Sequence, residues 1–135
     1  MPKISTEELK CMGLLQSVTR ASAIDCVVDE KVTFIVQPGQ MGLAIGRGGE
    51  NIRKMEHLLK KQVDVAEYAD NFKDFAMNLA VPAEPKSISK DNGRLVIIAD
   101  SRSRYLLKSD NGKILKRMKL FLERHYGEIT KVEVK

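Results

Sequence analysis

The sequence predicts an α+β fold of two tandem copies of one small unit, each a three-stranded mixed sheet with helices packed on one face. Two observations predict it. Hydrophobic patterns of helical and strand period alternate in the order helix, strand, strand, helix, loop, helix, strand. The same order then returns after a shift of 62 residues. A single ferredoxin-like α+β domain is the alternative architecture, and it does not account for the repeat.

In the first copy, Ser5 and Glu8 form a capping box that opens a helix with Cys11, Leu14, Leu15 and Val18 on its apolar face. Two strands follow, Ile24 to Val28 and Val32 to Gln37, joined by a tight turn at Asp29-Glu30. Pro38-Gly39 breaks the second strand. A short helix around Met41 to Ala44 leads into Gly46-Arg47-Gly48-Gly49. The next helix, from about Glu50 to Lys60, turns Ile52, Met55, Leu58 and Leu59 to one side. The run Val63 to Tyr68 closes the unit as a strand.

In the second copy, Phe72, Phe75, Ala76 and Leu79 share a helical face, and Pro82 ends that helix. Ser87 to Ser89 is a weak strand, and Asn92-Gly93 is a hairpin signal. Leu95 to Ala99 then matches Thr33 to Gln37, Ile114 matches Ile52, and Leu120-Phe121 match Leu58-Leu59. Ile129, Val132 and Val134 supply the last strand. The predicted boundaries are 1–69 and 70–135, with a junction at Asp70-Asn71 too short for a flexible linker.

The segment Gly46-Arg47-Gly48-Gly49 carries the chemistry. Glycine at both ends permits positive φ and leaves no Cβ to block another chain. The helix that starts at Glu50 offers unpaired N–H groups and the positive end of its dipole to a phosphate. Arg47 projects at the tip. This pattern resembles the G-x-x-G loop of KH-type RNA-binding modules, which clamps about four nucleotides. The helix and strand ahead of the core match the type II arrangement. Bases would then cross a groove made by Gly42, Leu43, Ile45, Ile52 and the strand around Val63 and Val65. Arg53, Lys54, Lys60 and Lys61 would extend the positive field. The plainer readings are a simple interhelical turn, core roles for Leu43, Ile45 and Ile52, and a solvated face for the cations.

Aligned on Ile114, the second loop reads Lys108-Ser109-Asp110-Asn111, with Gly112 one position late. It is a degenerate loop at 108–111, and Asp110 near its tip would repel phosphate. Lys108, Lys113, Lys116 and Arg117 keep the neighbourhood basic, and Lys108 and Lys113 are its candidate RNA contacts. Arg102 and Arg104 are further cations upstream.

Rival motifs fail on spacing. A dinucleotide fingerprint from Gly46 needs glycine where Asn51 stands, and a P-loop needs Gly-Lys-Ser/Thr where Gly49-Glu50-Asn51 stands. No serine or cysteine is paired with a histidine, so no enzyme is expected. His57 and His125 each lack a second ligand at helical spacing, so no metal and no cofactor are expected. Cys11 and Cys26 read as buried, reduced thiols. Charged residues interrupt the N-terminus, and no apolar run reaches the roughly 20 residues that span a bilayer. These features predict a cytoplasmic protein with no membrane partner and no small-molecule substrate. A net charge of +5 and a pI near 9.2 favour a polyanionic partner.

The run Gln37-Pro38-Gly39-Gln40-Met41-Gly42-Leu43-Ala44-Ile45-Gly46-Arg47-Gly48-Gly49-Glu50-Asn51-Ile52, with Val65-Ala66-Glu67-Tyr68 closing the unit, resembles the first KH module of archaeal NusA-like transcription factors. The resemblance spans the whole chain as a bare pair of type II KH modules. It is specific in the first half and looser in the second. It implies single-stranded RNA binding, a role in transcription termination or antitermination, and RNA polymerase or nascent-transcript complexes as partners. By position the clamp is Gly46, Arg47, Gly48 and Gly49, with Ile45 and Ile52 beside it. The polymerase-binding and S1 domains of bacterial NusA have no counterpart in these 135 residues.

Overall fold

The structure, a computed structural model, describes residues 3–135. It contains two three-stranded sheets that share no strand, with orders β1-β2-β3 and β4-β5-β6, which excludes one ferredoxin-like sheet. The chain divides into two compact units, one ending at Tyr68 and the next starting at Ala69.

The first unit runs α1 (Thr6–Thr19), β1 (Ala23–Val28), β2 (Val32–Val36), α2 (Met41–Ile45), a 3₁₀ turn (Arg47–Gly49), α3 (Glu50–Leu59) and β3 (Val63–Glu67). The capping box forms: the Ser5 hydroxyl accepts from the Glu8 N–H at 3.1 Å, and the Glu8 carboxylate accepts from the Ser5 N–H at 3.0 Å. The other Glu8 oxygen accepts from the Val28 N–H, which ties α1 to the edge of β1. β1 and β2 pair antiparallel, with a register irregularity between Ala23 and Asp25, whereas β2 and β3 pair parallel. The parallel pair forces a crossover, and α2, the 3₁₀ turn and α3 are that crossover.

Cys11 and Leu15 of α1, Val32, Phe34 and Val36 of β2, Ala44 of α2, Met55 of α3 and Val63 of β3 form the core of this unit. Both cysteines are buried free thiols, and burial is the main cause pushing the Cys11 thiol above its ordinary pKa.

The second unit runs α4 (Phe72–Ala80), β4 (Ser87–Asp91), β5 (Arg94–Ile98), α5 (Ser101–Tyr126) and β6 (Lys131–Val134). Asn71 caps α4, accepting from the Asp74 N–H at 2.9 Å. Asn92 and Gly93 both take positive φ (50° and 80°), as a two-residue hairpin loop of the I′ kind requires. β5 and β6 pair parallel, repeating the crossover. Asp100 caps α5 by accepting from the Ser103 N–H at 2.9 Å, and that bond is the main cause lowering its carboxyl pKa. Its contribution is therefore complete above the ordinary carboxylate range and is lost as pH falls through the lowered value.

Two expectations need correction. The loop expected at 108–111 is a break within α5 that covers Ser109, Asp110, Asn111 and Gly112, because Lys108 is still helical. The repeat also runs in a different register. The core-facing residues Val32, Phe34 and Met55 correspond to the buried Leu95, Ile97 and Met118, each 63 positions on. A shift of 62 would set Phe34 against Val96, which faces the other side of its strand from buried Leu95 and Ile97. Side chains alternate along a strand, so one residue of slip exchanges the faces.

Phe34 is fully buried at the centre of the first core. Phe34→Ala is expected to destabilise the protein by about 3–5 kcal/mol. Urea unfolding followed by far-UV circular dichroism measures this, and an unchanged midpoint would remove Phe34 from the core.

Candidate nucleic-acid interface

The crossover of the first unit places α2, the glycine turn, the start of α3 and β3 side by side, with α2 packed against both α3 and β3. Gly42, Leu43 and Ile45 lie on α2, Gly46 to Gly49 form the turn, Ile52, Arg53 and Lys54 lie on α3, and Val65 lies on β3. Leu43 is 45% exposed, the one large apolar side chain here that faces solvent to that degree, while Ile52 and Val65 pack onto the core.

Gly46 adopts φ 76°, ψ 171°, a region open essentially to glycine alone. A Cβ there would lie 2.8 Å from both Cγ and the backbone N of Asn51. Asn51 uses the closeness: its Nδ2 donates to the Leu43 carbonyl at 2.7 Å, satisfying an acceptor near the C-terminal end of α2. Gly48 (φ 61°, ψ 23°) and Gly49 (φ 80°, ψ 14°) are left-handed, and Gly49 starts α3 with no side-chain cap on its first N–H groups. Arg53 Nη1 donates to the Gly48 carbonyl at 2.7 Å.

The basic residues therefore divide by what they already hold. Arg53 is tied to the turn, Lys54 pairs with Glu50 at 3.4 Å, and Lys61 donates to the Asp29 carbonyl at 2.7 Å. The Arg47 side chain is exposed at the tip and has no hydrogen bond or ion pair among the described residues, while its carbonyl accepts from the Glu50 N–H. The Gly49 N–H donates to the Gly46 carbonyl at 3.1 Å and the Glu50 N–H to the Arg47 carbonyl, so what the turn offers an anion is the exposed guanidinium beside the positive end of the α3 dipole.

On the strand side the geometry is narrower than the sequence suggests. The Val65 N–H donates to Asp64 Oδ1 at 3.1 Å, and Asp64 pairs with Lys31 at 3.3 Å. The Val63 N–H donates to Glu56 at 3.1 Å. Val65 thus offers a side chain to the groove but no free N–H. Asn51 is the residue sequence reasoning passed over. An asparagine in the first turn of a helix reads as an ordinary polar position, and only its placement against Gly46 reveals the latch.

Lys108 and Lys113 lie in the second unit, flanking the break in α5. There Asn111 (φ 58°, ψ 33°) and Gly112 (φ 72°, ψ 32°) reproduce the backbone of Gly48 and Gly49, so the last glycine of the motif is retained in register. Ser109 is extended where Gly46 is in its glycine-only region, and Asp110 stands where Arg47 does. Arg117 donates to the carbonyls of Leu79 and Val81, which caps α4 instead of leaving a free cation. Among the described residues no cluster of His, Cys, Asp and Glu could hold a metal, and no helix is long and apolar enough to cross a membrane.

Residues 12–74 match the KH domain family, so the first unit carries a KH fold around this turn. The probable transcription termination protein NusA of Methanocaldococcus jannaschii is 35% identical, over 98% of this chain and 74% of that one. The protein of the same name from Methanococcus vannielii is 33% identical, over 85% of this chain and 69% of its own. The crystal structure of APE1850, 30% identical, matches with a TM-score of 0.86 over 98% of this chain and 100% of that chain. The chain belongs to the archaeal NusA-like family.

The close fit of Gly46 to Asn51 separates the glycines. Gly46→Ala is expected to cost roughly 2–4 kcal/mol, from strained φ and ψ plus the collision. Gly48→Ala meets nothing within 4 Å and should cost about 1 kcal/mol for left-handed φ alone. Asn51→Ala should cost about 1 kcal/mol and shift the amide resonances of residues 43–49. Denaturant titration and ¹⁵N-resolved NMR read all three, and equal costs for the two glycines would show that the contact with Asn51 is immaterial.

Proposed function

We propose that this protein is a non-enzymatic, cytoplasmic factor that binds single-stranded RNA in transcription termination or antitermination, gripping the RNA backbone with the turn 46–49. In this reading both units, 1–69 and 70–135, are type II KH domains, and only the first keeps the complete clamp. The supporting observation is the uncommitted Arg47 at the tip of a turn held from both sides by Asn51 and Arg53. A phosphate approaching Gly48 and Gly49 meets the positive end of α3 and one free guanidinium, with no Cβ in the way. Leu43, Ile45 and Ile52 then line a groove for bases, with the Val65 side chain at its far wall and Gly42 admitting close approach. The names of the relatives and the KH match support transcription and RNA as the setting, and this reading takes RNA polymerase or a nascent-transcript complex as the partner.

One observation favours a different reading. Asp110 replaces the tip cation in the second unit, as suits a KH surface that holds a protein. Arg47→Asp/Gly48→Asp decides between the two, because it reverses the charge at the first tip while leaving Gly46 and Gly49 in place. Fluorescence anisotropy with a single-stranded RNA, titrated against salt, should show affinity falling at least about tenfold and a shallower salt slope. Unchanged binding with the fold intact would move the site away from the turn. No binding by either protein would favour the protein-interaction reading. A ribosome-associated or RNA-processing role would appear as copurification with ribosomal subunits rather than with polymerase.

A further inference from the structure

The first part of α5, residues 101–108, carries a surface that the turn chemistry does not use. Ser101, Arg104, Tyr105, Lys108 and Ser109 line a shallow cleft of about 450 Å³. They stand at positions i, i+3, i+4, i+7 and i+8, so they share one helix face. Tyr105 is 73% exposed, the largest exposure of any large apolar or aromatic side chain among the described residues. Its ring meets no other ring, and its hydroxyl has no hydrogen-bond partner among them.

Two of the five lining residues are cations, Arg104 and Lys108. Arg104 is held in place by its own bonds, Nη1 to the Ala99 carbonyl at 2.6 Å and Nη2 to the Ser101 hydroxyl at 3.2 Å. Lys108 is exposed, one turn from Tyr105, with no ion-pair partner among the described residues. Arg102 is exposed beside them. None of the five lining residues is a carboxylate. Ser109 turns its hydroxyl inward to the carbonyls of Tyr105 and Leu106, at 3.0 and 2.9 Å, which ends the helical segment and fixes the ring's platform.

An isolated exposed tyrosine is ordinary. This one sits on a helix, over a cleft, between Arg102, whose charge also acts on Asp100, and the unpaired Lys108, and next to the break where the tip cation has been replaced by Asp110. We infer that the second unit holds single-stranded RNA by stacking a base on Tyr105, with Lys108 and Arg102 taking the adjacent phosphates, instead of by a backbone clamp. Every base has a π-face, so such a contact tolerates sequence. It also removes the requirement for the first glycine, because the ring contacts the base and no backbone has to approach the strand. The inference takes RNA as ligand from the reading of the first unit and otherwise stands on its own residues.

The test combines affinity with a local probe. The chain has three tyrosines and no tryptophan, so 3-fluorotyrosine labelling gives few ¹⁹F lines, and Tyr105→Phe identifies the one from Tyr105. A short single-stranded RNA should shift that line. Tyr105→Ala should weaken binding about 5- to 100-fold with an unchanged salt slope, while Tyr105→Phe binds as the parent does. Lys108→Ala should lower the salt slope by about one. An abasic strand of equal length should bind the parent and Tyr105→Ala alike, because it has nothing to stack. The line should still move, at higher RNA concentration, in the Arg47→Asp/Gly48→Asp protein. If the parent binds RNA but the Tyr105 line is still and Tyr105→Ala binds equally well, this site is refuted and the turn reading stands. If the parent binds no RNA at all, both are refuted. Tyr105 is exposed, so Tyr105→Ala leaves the buried core untouched.

Discussion

The parallel pairing of β2 with β3 governs the rest of the first unit. Two antiparallel neighbours can be joined by a few residues, as β1 and β2 are. A parallel neighbour must be reached by carrying the chain back along the sheet. The crossover does this with two helices, which must reverse direction between α2 and α3. The reversal happens in four residues because Gly46, Gly48 and Gly49 all take positive φ. The turn that presents Arg47 is therefore a by-product of sheet topology, and its rigidity comes from the same packing that seats Met55 and Ala44 in the core.

Packing also decides what the turn can offer. Asn51 and Arg53 both spend hydrogen-bonding groups on carbonyls of the preceding segment, so the backbone is held before any ligand arrives. Preorganised donors bind more tightly than donors that must first be ordered. The cost is that Arg53, a cation by composition, is withdrawn from the surface. Of the positive charges on and around α3, only those without a local carbonyl or carboxylate remain for a polyanion, and Arg47 is the one at the tip. Counting basic residues along this helix overstates the field that a phosphate meets.

This difference between residue type and residue employment marks what was legible in the sequence. Each element could be read because its signal is local: the capping box at Ser5 and Glu8, the Asn92-Gly93 hairpin, and the helical spacing of Phe72, Phe75 and Leu79. The glycine turn was legible for the same reason. The 63-residue correspondence was not, because identical residue types recur at neighbouring offsets. Only burial tells Leu95 and Ile97 from Val96 and Ile98. The latch by Asn51, the withdrawal of Arg53 and Arg117, and the occupation of the Val65 N–H by Asp64 were illegible too. The first two are contacts between segments whose approach is set by packing, and the last is a bond between neighbouring residues that depends on how the Asp64 side chain, paired with Lys31, is turned.

The correspondence changes how the second unit is understood. Its turn has not lost the motif wholesale. Asn111 and Gly112 keep the left-handed pair that starts the following helix, and asparagine is the residue that tolerates that conformation best after glycine. What has gone is the glycine-only first position and the tip cation, the two features that let a backbone clamp come close and hold charge. The fold keeps the crossover it needs for β5 and β6, while the chemistry at its apex is reversed in sign. A ligand of the same charge would then find its cations one turn earlier, on the helix face that bears Tyr105 and Lys108. Two units with one topology can thus contact a strand through different groups, one through its phosphates and the other through its bases.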